Sequence, residues 1–268
     1  MYLSDYHMHG ALSFDTNTPM IDMARAAVDA GLNEICFTDH VDVCYSGSDV
    51  RNEFDFPALE RAYDALHAAL SEPLLIRRGM ELGEATRDFA HAEKLLRQAP
   101  EMDFIIGSQH QLSGAYGHVD LYYCAAKDEQ SARAQIEDYL NMVLQLAKWG
   151  KFSVLGHLTL PLRYMNENNG LHMTFDGHEA EVEEIFRTLI QNGCGIECNT
   201  NRGNVPLPDE KWLRMYRALG GEIITVGTDA HTPEYVGCHV REVQELLRSC
   251  GFSYHCTFDK LKPIFHKL

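Results

Sequence analysis

Two histidines separated by one residue, His7 and His9, close the first apolar run of the chain. On a β-strand, residues i and i+2 face the same side, so this pair presents two imidazoles together. Neutral imidazole is the commonest side-chain metal ligand near neutral pH. A lone His-x-His pair is weak evidence, because histidines fall two apart by chance. Here later apolar runs end in further residues of the same chemical type: Asp39 and His40, Glu81, His110, His157, then Asp229 and His231. Asp229-x-His231 repeats the spacing of the first pair, and Asp15 lies just beyond it. Imidazole mixed with carboxylate is a donor set for Zn, Mn or Fe, and a carboxylate can bridge two ions. The donors outnumber what one tetrahedral ion needs, so two or three divalent ions are expected.

These residues must be positioned by the elements that precede them. Short apolar runs cover residues 2–8, 34–37, 74–80, 104–108, 152–156, 195–200 and 223–227, each followed by a polar cluster and a pattern of helical period. Thr18-Pro19 reads as a helix N-cap with proline at the first helical position, and Gly31 as the stop. Further helices are expected through Leu59 to Leu70, Asp88 to Gln98, Gln130 to Lys148, Val182 to Ile190 and Asp209 to Leu219. Pro233 is expected to begin a last helix through Leu247, and the tail after Gly251 has no clear period. Alternating strands and helices imply a parallel sheet with right-handed crossovers. An open sheet would hold its outer strands too far apart to share one site, whereas in a barrel all C-terminal strand ends share one mouth. The distribution of ligand-type residues therefore selects an α/β fold, a distorted (β/α)7 TIM-like barrel. It would form a single domain over residues 1–268, with its site at the C-terminal ends of the strands.

Composition narrows the partners. The chain has 268 residues, 45% of them hydrophobic, enough for one large core. No run of about 18 apolar residues is present, so no membrane span is expected. A net charge of −16 opposes a broad nucleic-acid face. The eight cysteines are scattered and none forms a Cys-x-x-Cys pair. With no basic n-region and apolar h-region at the start, they are expected to be reduced thiols in a cytoplasmic protein. The other histidines, such as His67, His91 and His255, lack strand-end placement and are expected to be surface or structural.

The stretches Asp5-Tyr6-His7-Met8-His9, Phe37-Thr38-Asp39-His40, Gly79-Met80-Glu81, Gly107-Ser108-Gln109-His110, Gly156-His157 and Val226-Gly227-Thr228-Asp229-Ala230-His231 follow one another in order along nearly the whole chain. Together they resemble the PHP (polymerase and histidinol phosphatase) superfamily, and within it the monofunctional histidinol-phosphate phosphatases. That resemblance implies a trinuclear site. His7, His9, Glu81 and Asp229 would hold one ion, Glu81 would bridge to a second held by His110 and His157, and Asp15, His40 and His231 would hold the third. Some relatives have histidine where this chain has Asp15. Asp39 would orient a ligand from behind. Arg163 and Arg202, each following a strand end, look like a phosphate clamp, since a planar guanidinium grips phosphate bidentately.

The implied reaction is hydrolysis of L-histidinol phosphate to L-histidinol and inorganic phosphate, in histidine biosynthesis. A metal-activated hydroxide would attack phosphorus in line. Asp229, Glu81 and His231 would form the reacting centre, with His231 a candidate proton donor. Rival expectations are a phosphoesterase acting on a nucleotide or sugar phosphate, a metal-dependent amidohydrolase, and a silent metal-binding protein.

Overall fold

The computed structural model describes residues 1–123 and 126–268; Cys124 lies outside the described residues. Seven parallel strands pair in sequence order: β1 (Ser4–Met8), β2 (Glu34–Phe37), β3 (Leu75–Gly83), β4 (Phe104–Ser108), β5 (Val154–Leu155), β6 (Gly195–Asn199) and β7 (Ile224–Gly227). The sheet curls until its two ends meet. Just past β7, Asp229 N donates to the His7 carbonyl at 2.7 Å and His9 N donates to the Ala230 carbonyl at 2.8 Å. The result is a nearly closed α/β barrel. Its seam runs through four of the residues singled out by spacing or their immediate neighbours.

Helices α1 (Met20–Asp29), α2 (Phe56–Ala69), α3 (Phe89–Gln98), α4 (Glu129–Trp149), the single turn α5 (Leu160–Leu162), α6 (Glu179–Gln191), α7 (Glu210–Ala218) and α8 (Val240–Ser249) connect the strands. Their limits are set by local chemistry. The Asp55 carboxylate accepts from Ala58 N, and the Asp88 carboxylate from His91 N. Asp128 and Ser131 form a reciprocal capping box at the start of α4. Gly150 ends α4 with φ 61°, a left-handed conformation that a β-carbon disfavours. The inward faces are apolar: in α8, Val240, Val243 and Leu247 are buried. Among the described residues no helix is long and apolar enough to cross a membrane.

Two apolar layers result. The larger runs between the strands and the helices, from Leu3 to Phe252. The smaller fills the lower barrel interior with Tyr6, Cys36, Phe104, Ile106 and Val154, joined by Cys256 and Phe258. The last two come from the tail, which forms an antiparallel hairpin of β8 (Tyr254–Asp259) and β9 (Lys262–Lys267). Tyr6 ties that hairpin down, its hydroxyl accepting from Phe258 N at 2.8 Å. The hairpin is a plug for the N-terminal end of the barrel, so only the C-terminal end remains for polar side chains.

Two local expectations are corrected. Thr18 does not cap α1: its hydroxyl donates to the His231 carbonyl at 2.9 Å, and Pro19 occupies the cap position. Pro233 starts a separate short turn, Pro233–Tyr235, and α8 begins only at Val240, after His239 at φ 57°. At Thr18 a contact from the loop after β7 competes with the helix signal.

Candidate metal centre

Glu81 is the centre of the polar end. It lies within β3 rather than at its end, because the strand continues to Gly83. Alternation turns Met80 and Leu82 outward into the apolar layer and Gly79, Glu81 and Gly83 inward. The flanking glycines are required for space: a β-carbon at Gly83 would sit 2.1 Å from Asp42 Oδ1, and one at Gly79 would sit 2.6 Å from Cys36 Sγ. Glu81 Oε1 lies 3.2 Å from His110 Nε2 and 3.0 Å from His157 Nε2, and accepts from the Ser108 hydroxyl at 2.6 Å. Glu81 Oε2 faces His7 Nε2 at 3.3 Å, His9 Nε2 at 3.5 Å and His40 Nδ1 at 3.1 Å. One carboxylate thus touches five imidazoles drawn from four different strand ends.

Asp229 is the second node. Its Oδ1 lies 3.6 Å from His7 Nε2 and 3.3 Å from His9 Nε2. Its backbone is left-handed, at φ 58°, a conformation aspartate tolerates better than most residues. His231 Nδ1 sits 2.9 Å from the Asp229 carbonyl, while its Nε2 reaches Asp15 Oδ2 at 2.8 Å. His40 Nε2 lies 3.5 Å from the same Asp15 oxygen. All nine residues expected as ligands are therefore brought into one connected cluster. Asp39 stands behind it: Gly10 N and the Ser13 hydroxyl donate to its Oδ1 at 2.6 and 3.0 Å, and Ser13 Oγ is also 3.0 Å from His9 Nδ1.

The electrostatics are those of mostly buried charges held close together. Burial opposes charge on His7, but the Glu197, Glu81 and Asp229 carboxylates outweigh it and hold the imidazole well above its usual range. Burial also opposes ionisation of Glu81, yet His7, His40 and His110 hold that carboxyl well below the usual range. His9 goes the other way: burial, with His231 and His40 beside it, pushes it down to about 3.

Several donor atoms in this cluster are buried with no hydrogen-bond partner: His7 Nε2, His9 Nε2, His40 Nδ1 and Glu81 Oε2. Buried polar atoms are normally satisfied, and each exception calls for a partner. A divalent cation is a fitting partner for all of them. Among the described residues, four triads could each hold an ion: His7–His9–Asp229, His7–Glu81–His157, His9–His40–His231 and His40–Asp42–His110. The donor set, imidazole plus carboxylate, suits Zn, Mn or Fe.

Of the two expected arginines, Arg163 contacts this cluster directly. It follows α5, and its guanidinium donates to Asp229 Oδ2 at 2.9 Å, Asn201 Oδ1 at 2.8 Å and Asn199 Oδ1 at 3.2 Å. Three of five N–H groups are used, so donors remain for an anion. Arg202 is exposed, and its guanidinium lies 4.8 Å from the Tyr235 ring centre. Its backbone is left-handed, at φ 56°, and Tyr235 belongs to the same loop after β7 that carries His231.

A PHP domain model matches residues 5–201, a span that covers β1 to β6 and most of this cluster. The chain belongs to the PHP family. Its PHP relatives include the histidinol-phosphatase of Lactococcus lactis subsp. lactis, 27% identical over 263 residues, which are 96% of this chain and 95% of that protein. A Deinococcus radiodurans protein named "probable histidinol-phosphatase" is 28% identical over 258 residues, 93% of this chain and 94% of the other. Among solved structures, the crystal structure of the Lactococcus lactis histidinol phosphate phosphatase complexed with Zn, L-histidinol and phosphate superposes with a TM-score of 0.81. That likeness covers 98% of both chains at 24% identity and establishes the common fold.

Inside this PHP barrel are functional neighbours that the spacing argument missed. Glu197 accepts from His157 N at 2.8 Å and lies 2.7 Å from His7 Nδ1, joining two strand-end histidines from behind. Gly227 makes room for it, since a β-carbon there would sit 2.3 Å from Glu197 Oε1. Glu84, pushed up to about 8 by burial, accepts from His110 N at 2.6 Å. Asp42 Oδ1 lies 3.6 Å from His40 Nδ1. The signal available for Glu197 was a charge in the middle of an apolar strand, Gly195-Ile196-Glu197-Cys198.

Proposed function

We propose that this chain is a metal-dependent phosphomonoesterase that hydrolyses L-histidinol phosphate to L-histidinol and inorganic phosphate, a cytoplasmic step of histidine biosynthesis. The observation that carries the reading is the set of buried donors without partners, His7 Nε2, His9 Nε2, His40 Nδ1 and Glu81 Oε2, standing beside Arg163. Relatives named histidinol-phosphatase align over 96% and 93% of the chain. A structural relative holds Zn, L-histidinol and phosphate. The described cysteines are free, consistent with a reducing compartment.

In this reading His7, His9, Glu81 and Asp229 hold one ion, Glu81 with His110 and His157 a second, and Asp15, His40 and His231 a third, all within one domain spanning the chain. When bound, such ions supply Lewis-acid stabilisation of phosphate and a water of lowered pKa. The protein's own groups do the rest. Arg163, fixed by Asp229, Asn199 and Asn201, offers its remaining N–H groups to the non-bridging oxygens, where charge develops in phosphoryl transfer. Asp39 and Ser13 fix the ring of His9, and Glu197 that of His7. His231 stands at the solvent-facing edge, its side chain 22% exposed. It is placed either to complete the third group or to hold a proton for the departing alkoxide.

The test is phosphate release from L-histidinol phosphate against a panel of nucleotide and sugar monophosphates, with Mn, Zn or Fe added. The expected result is a kcat/KM for L-histidinol phosphate at least about 100-fold above the panel, about 2.7 kcal/mol of discrimination. Chelator-treated protein should lose the activity and regain it on metal addition. A flat panel would refute the substrate and leave the hydrolysis; activity in metal-free protein would refute the metal reading.

A further inference from the structure

Beside the cluster, two large aromatic side chains are left in solvent. Phe14 is 60% exposed and Tyr45 is 48% exposed. Isolated exposed apolar residues are ordinary, but these two form a pair, with ring centres 5.3 Å apart in an edge-to-face arrangement. The Phe14 ring lies 5.0 Å from that of His40, and the next residue, Asp15, meets both His40 and His231. The pair is therefore held against the cluster's edge by the same loop that carries one of its carboxylates. Phe14 and Tyr45 wall a shallow cleft with His40, Asp42, Asn52 and Glu53. At its floor there is room for only about 20 Å³, about one water. A ring would thus lie across the exposed aromatic faces rather than sink between them. Two carboxylates line this cleft: Asp42, whose buried Oδ1 lies 3.6 Å from His40 Nδ1, and Glu53, which pairs with Lys94. Arg163, the anion-binding group, stands elsewhere on the cluster, beyond Asp229 and His9. One flank thus suits the phosphate and the other, with its exposed aromatic faces, a flat ring.

We infer that Phe14 and Tyr45 are specificity-determining residues that stack against the organic part of the substrate, a flat heteroaromatic ring on a chain bearing an ammonium group. The inference rests on the functional reading above. Aromatic stacking and cation–π contact both favour such a ring over an aliphatic chain. Phe14→Ala and Tyr45→Ala are each expected to lower the ratio of kcat/KM for L-histidinol phosphate to that for glycerol 3-phosphate by about tenfold. The loss should appear mainly in KM, and Tyr45→Phe should restore the ratio. The Kd for L-histidinol, read by calorimetry, should rise by a similar factor in the alanine variants.

If the wild-type protein prefers L-histidinol phosphate and both alanine variants keep its ratio and its Kd, this inference alone is overturned. Loss of activity on both esters in equal proportion also overturns it, since it marks a merely structural role. If the wild-type protein shows no preference between the two esters, the functional reading fails and the inference falls with it.

Discussion

At the scale of single residues, several of the cluster's histidines are held from behind. Each imidazole has two nitrogens, and a partner on one of them sets the orientation and basicity of the other. Glu197 does this for His7 at 2.7 Å, and its other oxygen accepts from the backbone N of His157, so one carboxylate orients a ring and anchors the main chain of a second member. Losing such a partner typically costs 10–100-fold in metal affinity. Glu197→Gln is accordingly expected to fold, to bind Zn about tenfold or more weakly by competition with a chelating dye, and to lose activity in parallel. Glu81→Ala removes the carboxylate shared by five imidazoles and should purify with little metal by elemental analysis. Glu197→Gln with unchanged Zn affinity would show that Glu197 only packs. The strand-end histidines were legible from spacing because period-two geometry is local. Glu197 was not, because a buried carboxylate in a strand becomes a histidine partner only when β6 closes over β1 and β7.

At the scale of elements, the seam between β1 and β7 decides whether the site exists. Asp5 stitches it: its buried carboxylate accepts from Thr228 N at 3.0 Å, the Thr228 hydroxyl at 2.6 Å and Gly237 N at 3.0 Å. Hydrogen bonds to charged groups contribute about 1.5–3 kcal/mol each, and their loss here would leave buried backbone donors unsatisfied. Asp5→Ala should therefore lower the unfolding free energy by about 3 kcal/mol or more in denaturant titrations. A change below about 1 kcal/mol would mean that the seam is held by the backbone ladder alone. Most strands and helices were readable from apolar period and caps. The tail was not. Its hairpin turns on Lys260 and Leu261, at φ 49° and 61°, where a two-residue turn ordinarily uses glycine or asparagine. The usual turn signal is missing, and packing of Cys256 and Phe258 against the barrel floor supplies the reason for the conformation instead.

At the scale of the whole molecule, that hairpin couples the two chain ends and makes stability depend on pH. His255 is buried between them, with Nε2 3.0 Å from the Tyr2 carbonyl and its ring stacked at 5.4 Å on His266. Burial, and then the neighbouring His266, push it from 6.5 down to about 4. Above about pH 6.5 both folded and unfolded chains hold it neutral. Between pH 6.5 and 4 the unfolded chain takes up a proton that the folded chain refuses, so stability falls with falling pH. The fall attributable to this residue is about 3 kcal/mol. Equilibrium unfolding of wild-type protein and His255→Asn at pH 7, 5 and 4 should show a shallower acid slope for the variant; parallel curves would remove His255 as the cause. One of the histidines without strand-end placement is thus expected to be a determinant of acid stability.

The sequence by itself determined the alternation of strands and helices, and the presence of a ligand-type residue at or near most strand ends. Both follow from periodicities of two and 3.6 that operate within a few residues. It also determined that those residues needed a common mouth, and hence a barrel. Only the tertiary structure decided which of them touch. It made Glu81 the shared carboxylate of five imidazoles, brought Arg163 to Asp229 while leaving Arg202 on Tyr235, and recruited Glu197, Glu84 and Asp42. Contacts of about 3 Å between residues tens of positions apart, and 190 apart for His7 and Glu197, arise from closure of the sheet, and no local pattern encodes them.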